Sequence, residues 1–304
     1  MNEVTGLQAP ALARRDADPR ARTALSSSGG SMHKSFRTIA AVFALTAVAS
    51  SAFGQGMPTS QPGILSIFIE DVKAGMEADH MANEAGWPAA FARAGSEYYY
   101  MALSSMTGTT QIWYVAPYAS WTQEGENIKQ NDENPELSAE LARLWRADAQ
   151  YLNSARAVQA VARPDLSYGA FPNLGLVRFY EITTFRVRPG HEQGWEAAAS
   201  AYIEAAKRST PNLSFRTYMV VAGMPGSTYL IFSSANAYGE FDQQMADGMA
   251  LWEGATEQEM ETLGNAMRSD VSSVITHRYR VSPSMSYVAP EARAADPAFW
   301  DSKR

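Results

Sequence analysis

Between Leu176 and Ser234 the chain carries a unit whose local chemistry leaves few folds open. The run from Leu176 to Val187 is rich in β-branched and aromatic residues, as a strand requires. Val187-Arg188-Pro189-Gly190-His191-Glu192 then turns the chain, because Pro presets φ and Gly accepts backbone angles that side chains forbid. Trp195, Ala198, Tyr202 and Ala205 follow at steps of three and four, the apolar stripe of an amphipathic helix. Thr210-Pro211-Asn212 stops that helix. Phe215 to Val221 and Thr228 to Ser233 flank Ala222-Gly223-Met224-Pro225-Gly226-Ser227 and read as a hairpin. The unit is strand, helix, strand, strand.

The same order occurs earlier. Ile64 to Val72 is a strand ending in Val72-Lys73-Ala74-Gly75, the counterpart of Val187-Arg188-Pro189-Gly190. A helical stretch runs to about Gly95, with a break expected near Trp87 because Pro88 interrupts it. Tyr98 to Ser104 and Gln111 to Ala116 form the hairpin, and Tyr100 to Gly108 matches Tyr218 to Gly226. Next comes a helix bearing Leu137, Leu141, Trp145 and Leu152, then a strand from Arg156 to Ala162. In the second copy Tyr238, Phe241, Met245, Met249 and Trp252 mark one helix. Met260, Leu263, Met267, Val271 and Val274 mark another, and Thr276 to Val281 closes the unit. Each copy reads β-α-β-β-α-β, so the expectation is an α+β fold with two ferredoxin-like halves. The uncovered sheet faces would pack together or curl into one barrel, with the partner already tethered. The expected divisions are a first half at 63–168, a linker at 169–175, a second half at 176–288 and a C-terminal tail at 289–304.

The Val187–Glu192 turn after a first strand, with the hairpin strand Tyr229-Leu230-Ile231-Phe232, resembles the dimeric α+β barrel superfamily, here as a tandem fusion over roughly 62–288. That group includes antibiotic-biosynthesis-type monooxygenases, NIPSNAP-like and EthD-like proteins and chlorite-dismutase relatives. The resemblance implies a fold and leaves several chemistries open: cofactor-free oxygenation, haem chemistry, or ligand binding alone. A haem enzyme of this kind would need an axial histidine, for which His277 or His191 would serve.

Residues 1–54 are expected to be a leader and signal peptide. Met32-His33-Lys34-Ser35-Phe36-Arg37 is a basic n-region, Ile39 to Ala49 an apolar run, and Ala47-Val48-Ala49 a cleavage site, with Ala52-Phe53-Gly54 a second. Met32 is the expected start, and 55–62 is a flexible lead-in. These signals predict a periplasmic or extracellular protein with no membrane segment in its mature form. With no cysteine, disulfides, zinc–thiolate sites and cysteine nucleophiles are excluded. The net charge is −7, and the six basic and three acidic residues of 1–54 leave about −10 on the remainder. Such a body repels phosphate backbones, so no nucleic-acid partner is expected. A homo-oligomer is open.

No histidine pair has metal-ligand spacing, so neither metal nor cofactor is expected. Arg178, Tyr180, Arg216, Tyr218 and His277 lie on strands of the second copy and could line a lumen for an anionic ligand such as a carboxylate. The plainer reading is that the arginines of these strands are solvated or pair with Glu181 and Asp270. In the first copy, Tyr98-Tyr99-Tyr100 and Trp113-Tyr114 are either core or a pocket for a planar organic ligand. The intact Pro189-Gly190 turn and unbroken helix place the expected site in the second copy. Binding of a small aromatic or anionic molecule is the leading expectation, and cofactor-independent monooxygenation is the alternative.

Overall fold

A computed structural model describes residues 56–302 apart from Pro211; the expected leader and signal peptide lie outside them. The first half runs β1 (Ile64–Val72), α1 (Glu77–Glu84), α2 (Gly86–Ala94), β2 (Tyr100–Ser105), β3 (Gln111–Tyr118), α3 (Trp121–Asp132), α4 (Pro135–Asp148) and β4 (Leu152–Ala162). The second runs β5 (Phe179–Val187), α5 (Glu192–Ser209), β6 (Arg216–Ala222), β7 (Thr228–Ala235), α6 (Glu240–Gly254), α7 (Glu257–Asn265) and β8 (Val271–Tyr287). Two short helices, α8 (Pro290–Ala295) and α9 (Pro297–Trp300), end the chain.

The eight strands close into one antiparallel barrel in the order β1-β3-β2-β8-β5-β7-β6-β4. The halves meet at two seams: β2 on β8, where Leu103 faces Val281, and β4 on β6, where Ala160 faces Val220. Period-2 alternation divides each strand between two cores. In β1, Leu65, Ile67 and Ile69 point into the barrel, while Ile64, Phe68 and Val72 meet the helices. The interior is packed with side chains such as Trp113, Ile182, Leu230 and Tyr279. It is a core.

Several boundaries differ from the sequence reading. The helix break falls at Ala85, and Pro88 sits in the first turn of α2, where its missing N–H costs nothing. Gly86 lets α2 approach α4, since a Cβ there would lie 2.7 Å from Leu144 Cδ2. Leu152 starts β4, and Val271 and Val274 belong to β8, because their β-branched run extends once the chain leaves Asp270. The Tyr100–Tyr218 match crosses faces: Tyr100 packs beneath the helices and Tyr218 inside the barrel. In α6, Met245, Met249 and Trp252 are exposed, while Phe241 and Leu251 are the buried residues.

The C-terminal segment packs firmly. Val288, Ala289, Ala292 and Trp300 join the interior core, and Trp300 Nε1 donates to the Gly175 carbonyl at 2.9 Å.

Candidate functional site

The structure scatters the five residues expected to form a lumen site. Arg178 is occupied by the C-terminal segment: its guanidinium pairs with Asp296, donates to the carbonyls of Gly175 and Val177, and lies 3.7 Å over the Phe299 ring. His277, opposite Ile182 in the ladder, stands edge-on to Tyr279 and does not line the cleft that Tyr180, Arg216 and Tyr218 share. Tyr180, Arg216 and Tyr218 do come together, around a cleft of about 70 Å³. There Arg216 is spent on backbone, donating to the carbonyls of Tyr168, Phe215 and Gly169 at 2.6–2.7 Å. Glu181 pairs with Arg278, as the plainer reading held, whereas Asp270 pairs with His191 and not with a strand arginine.

The roomier cavity, about 400 Å³, lies in the first half, between the outer sheet face and the helices. Strands β1, β2 and β3 supply Phe68, Tyr100 and Tyr114 from alternate positions. Helix α2 adds Trp87 and Phe91 one turn apart, Trp145 comes from α4, and Tyr98 from the approach to β2. The rings brace one another: Phe91 is 5.1 Å from Tyr98, Tyr98 is 5.5 Å from Tyr100, and Tyr100 is 5.9 Å from Tyr114. Trp145, 40% exposed, stands at the solvent side against Phe68. The volume falls in the range of small-molecule sites.

Glu70 and Glu84 belong to this wall, and behind them lie His80 and Asp148. Glu70 is helix-facing because it shares the phase of Phe68 and Val72 on β1. His80 and Glu84 stand one turn apart on α1, and Asp148 is the last residue of α4. His80 Nε2 is 2.8 Å from Glu70 Oε2 and 3.7 Å from Asp148 Oδ1, and Asn83 Nδ2 donates to Asp148 Oδ1 at 3.3 Å. All four are buried. His80 Nδ1 and Asp148 Oδ2 have no hydrogen-bond partner.

Burial disfavours charge here and raises the carboxyl groups. Glu70 rises to about 7, with the nearby Tyr114 hydroxyl opposing. Glu84 rises to about 8, by burial first and then the negative neighbours Glu70 and Asp148. Asp148 rises to about 6, by burial and then Glu70, with His80 opposing. Burial likewise lifts Tyr98 to about 12 and holds Tyr100 and Tyr114 well above the ordinary phenol range. The arrangement can receive a flat apolar body and hydrogen-bond one polar edge at its floor.

Sequence reasoning named three of the aromatic walls but placed the site in the other half. It missed the cluster behind the cavity. One signal was present: the phase of Ile64–Val72 sets Glu70 on the covered face, where an acid needs a partner. His80 and Glu84 at i, i+4 were a second.

The class the fold and cavity define is an α+β barrel closed by two four-stranded halves on one chain, with a cavity beneath the first half's helices. No protein-family model matches the chain, and no curated sequence does. Among solved structures it is similar to an anthrone oxidase-like protein, at 13% identity and TM-score 0.47, over 74% of this chain and 93% of the other. A Lactobacillus acidophilus protein provisionally assigned as a monooxygenase aligns at 8% identity and TM-score 0.45, over 75% and 98% of the two chains. A mutant chlorite dismutase from Candidatus Nitrospira defluvii aligns at 10% and TM-score 0.44, over 74% and 93%. Identities this low assign no chemistry.

Proposed function

We propose that this protein binds a small, planar, uncharged aromatic molecule in the first-half cavity. The observation that carries the reading is that cavity: about 400 Å³, walled by seven aromatic side chains, with carboxyl groups at its floor. Aromatic walls favour a flat guest by stacking and edge contacts. A carboxylate guest is disfavoured, because its charge would be buried with no Lys or Arg in the lining to offset it. Of the two expected ligand types, the aromatic one is therefore preferred. Trp87 and Trp145 in the wall provide the readout. Titration with 2-naphthol should quench tryptophan emission, and naphthalene-2-carboxylate should not. Tyr98→Ala should weaken the naphthol response about 10-fold, the loss of roughly 1.4 kcal/mol of ring contact. Equal binding of both probes, or no effect of Tyr98→Ala, would remove the reading.

Cofactor-independent oxygenation of such a guest is the second reading. It is favoured by the placement of Glu70 in the cavity wall, where its carboxylate form could take up a phenolic proton. Oxygen consumption with hydroxyaromatic substrates, measured at an electrode, decides it. Export is part of the proposal too, supported by the basic and apolar segments of residues 32–54; N-terminal sequencing of the mature protein tests it.

A further inference from the structure

We infer that Glu70, His80, Glu84 and Asp148 form a binding site for one divalent first-row transition-metal ion. One donor atom from each lies within 4.8 Å of the others, and each residue is more than nine-tenths buried. Buried carboxyl groups ionise readily only beside a counter-charge, and among the described residues no Lys or Arg pairs with any of the three; Glu70 and Asp148 pair with His80 alone. Two donor residues also carry a side-chain atom with no hydrogen-bond partner, Nδ1 of His80 and Oδ2 of Asp148. An acidic cluster alone would be a poor argument. A buried, partnerless carboxyl oxygen beside an imidazole with an unmatched nitrogen is a stronger one, because native proteins rarely leave such atoms unmatched.

Three carboxylates around a dication leave one excess negative charge, which a single retained proton cancels. The metal would take the place now held by the proton between His80 Nε2 and Glu70 Oε2, and that proton would pass to solvent. Mixed nitrogen and oxygen donors suit Mn²⁺, Fe²⁺, Co²⁺ or Zn²⁺, whereas Mg²⁺ and Ca²⁺ favour oxygen alone. The elements that hold the donors are fixed before any ion arrives. β1 is paired on both sides, α1 supplies its two donors from one face, and Asn83 steadies Asp148. The cavity gives an approach route, since Glu70 and Glu84 form part of its wall.

The metal site shares Glu70 and Glu84 with the cavity, while the stacking of the aromatic guest rests on the ring walls, so the two are tested separately. In the test, the full chain is stripped with chelator and titrated with Co²⁺ by visible absorption, and with Mn²⁺ and Zn²⁺ by calorimetry. One equivalent should bind, cobalt bands should develop, and the melting temperature should rise with metal concentration. Mg²⁺ and Ca²⁺ should not displace the ion. Glu84→Gln and Asp148→Asn keep the side-chain shapes and should each weaken affinity at least about 10-fold, the loss seen even for outer-shell partners of metal ligands. Thr183→Ala, on the outer face of the second half, should bind normally. Circular dichroism of the metal-free variants checks the fold; should Asp148→Asn not fold, Glu84→Gln decides alone. No binding by any of the three ions, affinity unchanged in Glu84→Gln, or equal binding of Ca²⁺ would overturn the inference. Naphthol quenching in the stripped protein tests the pocket separately.

Discussion

Arg216 shows how a residue type can mislead about its role. Its sequence position on a strand suggests a cation offered to a ligand, yet the fold turns its guanidinium onto three backbone carbonyls where the linker meets β6. Arg216→Ala would strand those acceptors and should cost about 3 kcal/mol in urea unfolding, the scale of an unmatched buried polar group. Naphthol quenching should be unchanged, because the residue lies outside the first-half cavity. Glu70 is the opposite case: an acid in an apolar strand that would pass for a solvent-facing residue, fixed by strand phase against His80.

At the scale of elements, the short terminal helices and the linker network carry the connections between parts. Trp300 of α9 fills the barrel end, so Trp300→Ala should destabilise by about 3–5 kcal/mol, the range for losing a buried large aromatic, seen as an earlier thermal transition. Arg163, just past β4, pairs with Glu196 of α5, and Tyr229 of β7 donates to the same carboxylate at 2.8 Å. The hydrogen bond from Arg163, foremost, holds Glu196 below its ordinary range. Native Glu196 therefore binds fewer protons than the unfolded chain as pH falls below about 4.5. The stability this pair supplies is full above that value and fades as pH drops through the native pKa. Acid titration of urea midpoints should show Glu196→Gln with a shallower loss below pH 5 than the parent.

For the whole molecule, closure of the sheet makes each half depend on the other. A separated half would expose Leu65, Ile67 and Ile69, or Tyr180, Ile182 and Leu230, together with two unpaired strand edges. Unfolding should thus be a single transition, with calorimetric and van't Hoff enthalpies equal. Two resolved transitions would mean that the seams at β2–β8 and β4–β6 do not couple the halves.

Local pattern was enough for the elements. Alternation marks β1 from Ile64 to Val72, and the three-and-four spacing around Trp195 marks α5, because each depends on neighbours within a few residues. The β-α-β-β-α-β order and the barrel followed from the recurrence of those elements and the need to cover two apolar sheet faces. Which faces hold room was not local. Tyr100 and Tyr218 carry similar sequence surroundings and lie on opposite sides of the sheet, since a ladder shift by an odd number of residues exchanges the faces. Glu70, His80 and Asp148 meet across as many as 78 positions of chain. Only the packing of α1 and α4 on β1 brings them within reach, and that packing is set by the tertiary structure.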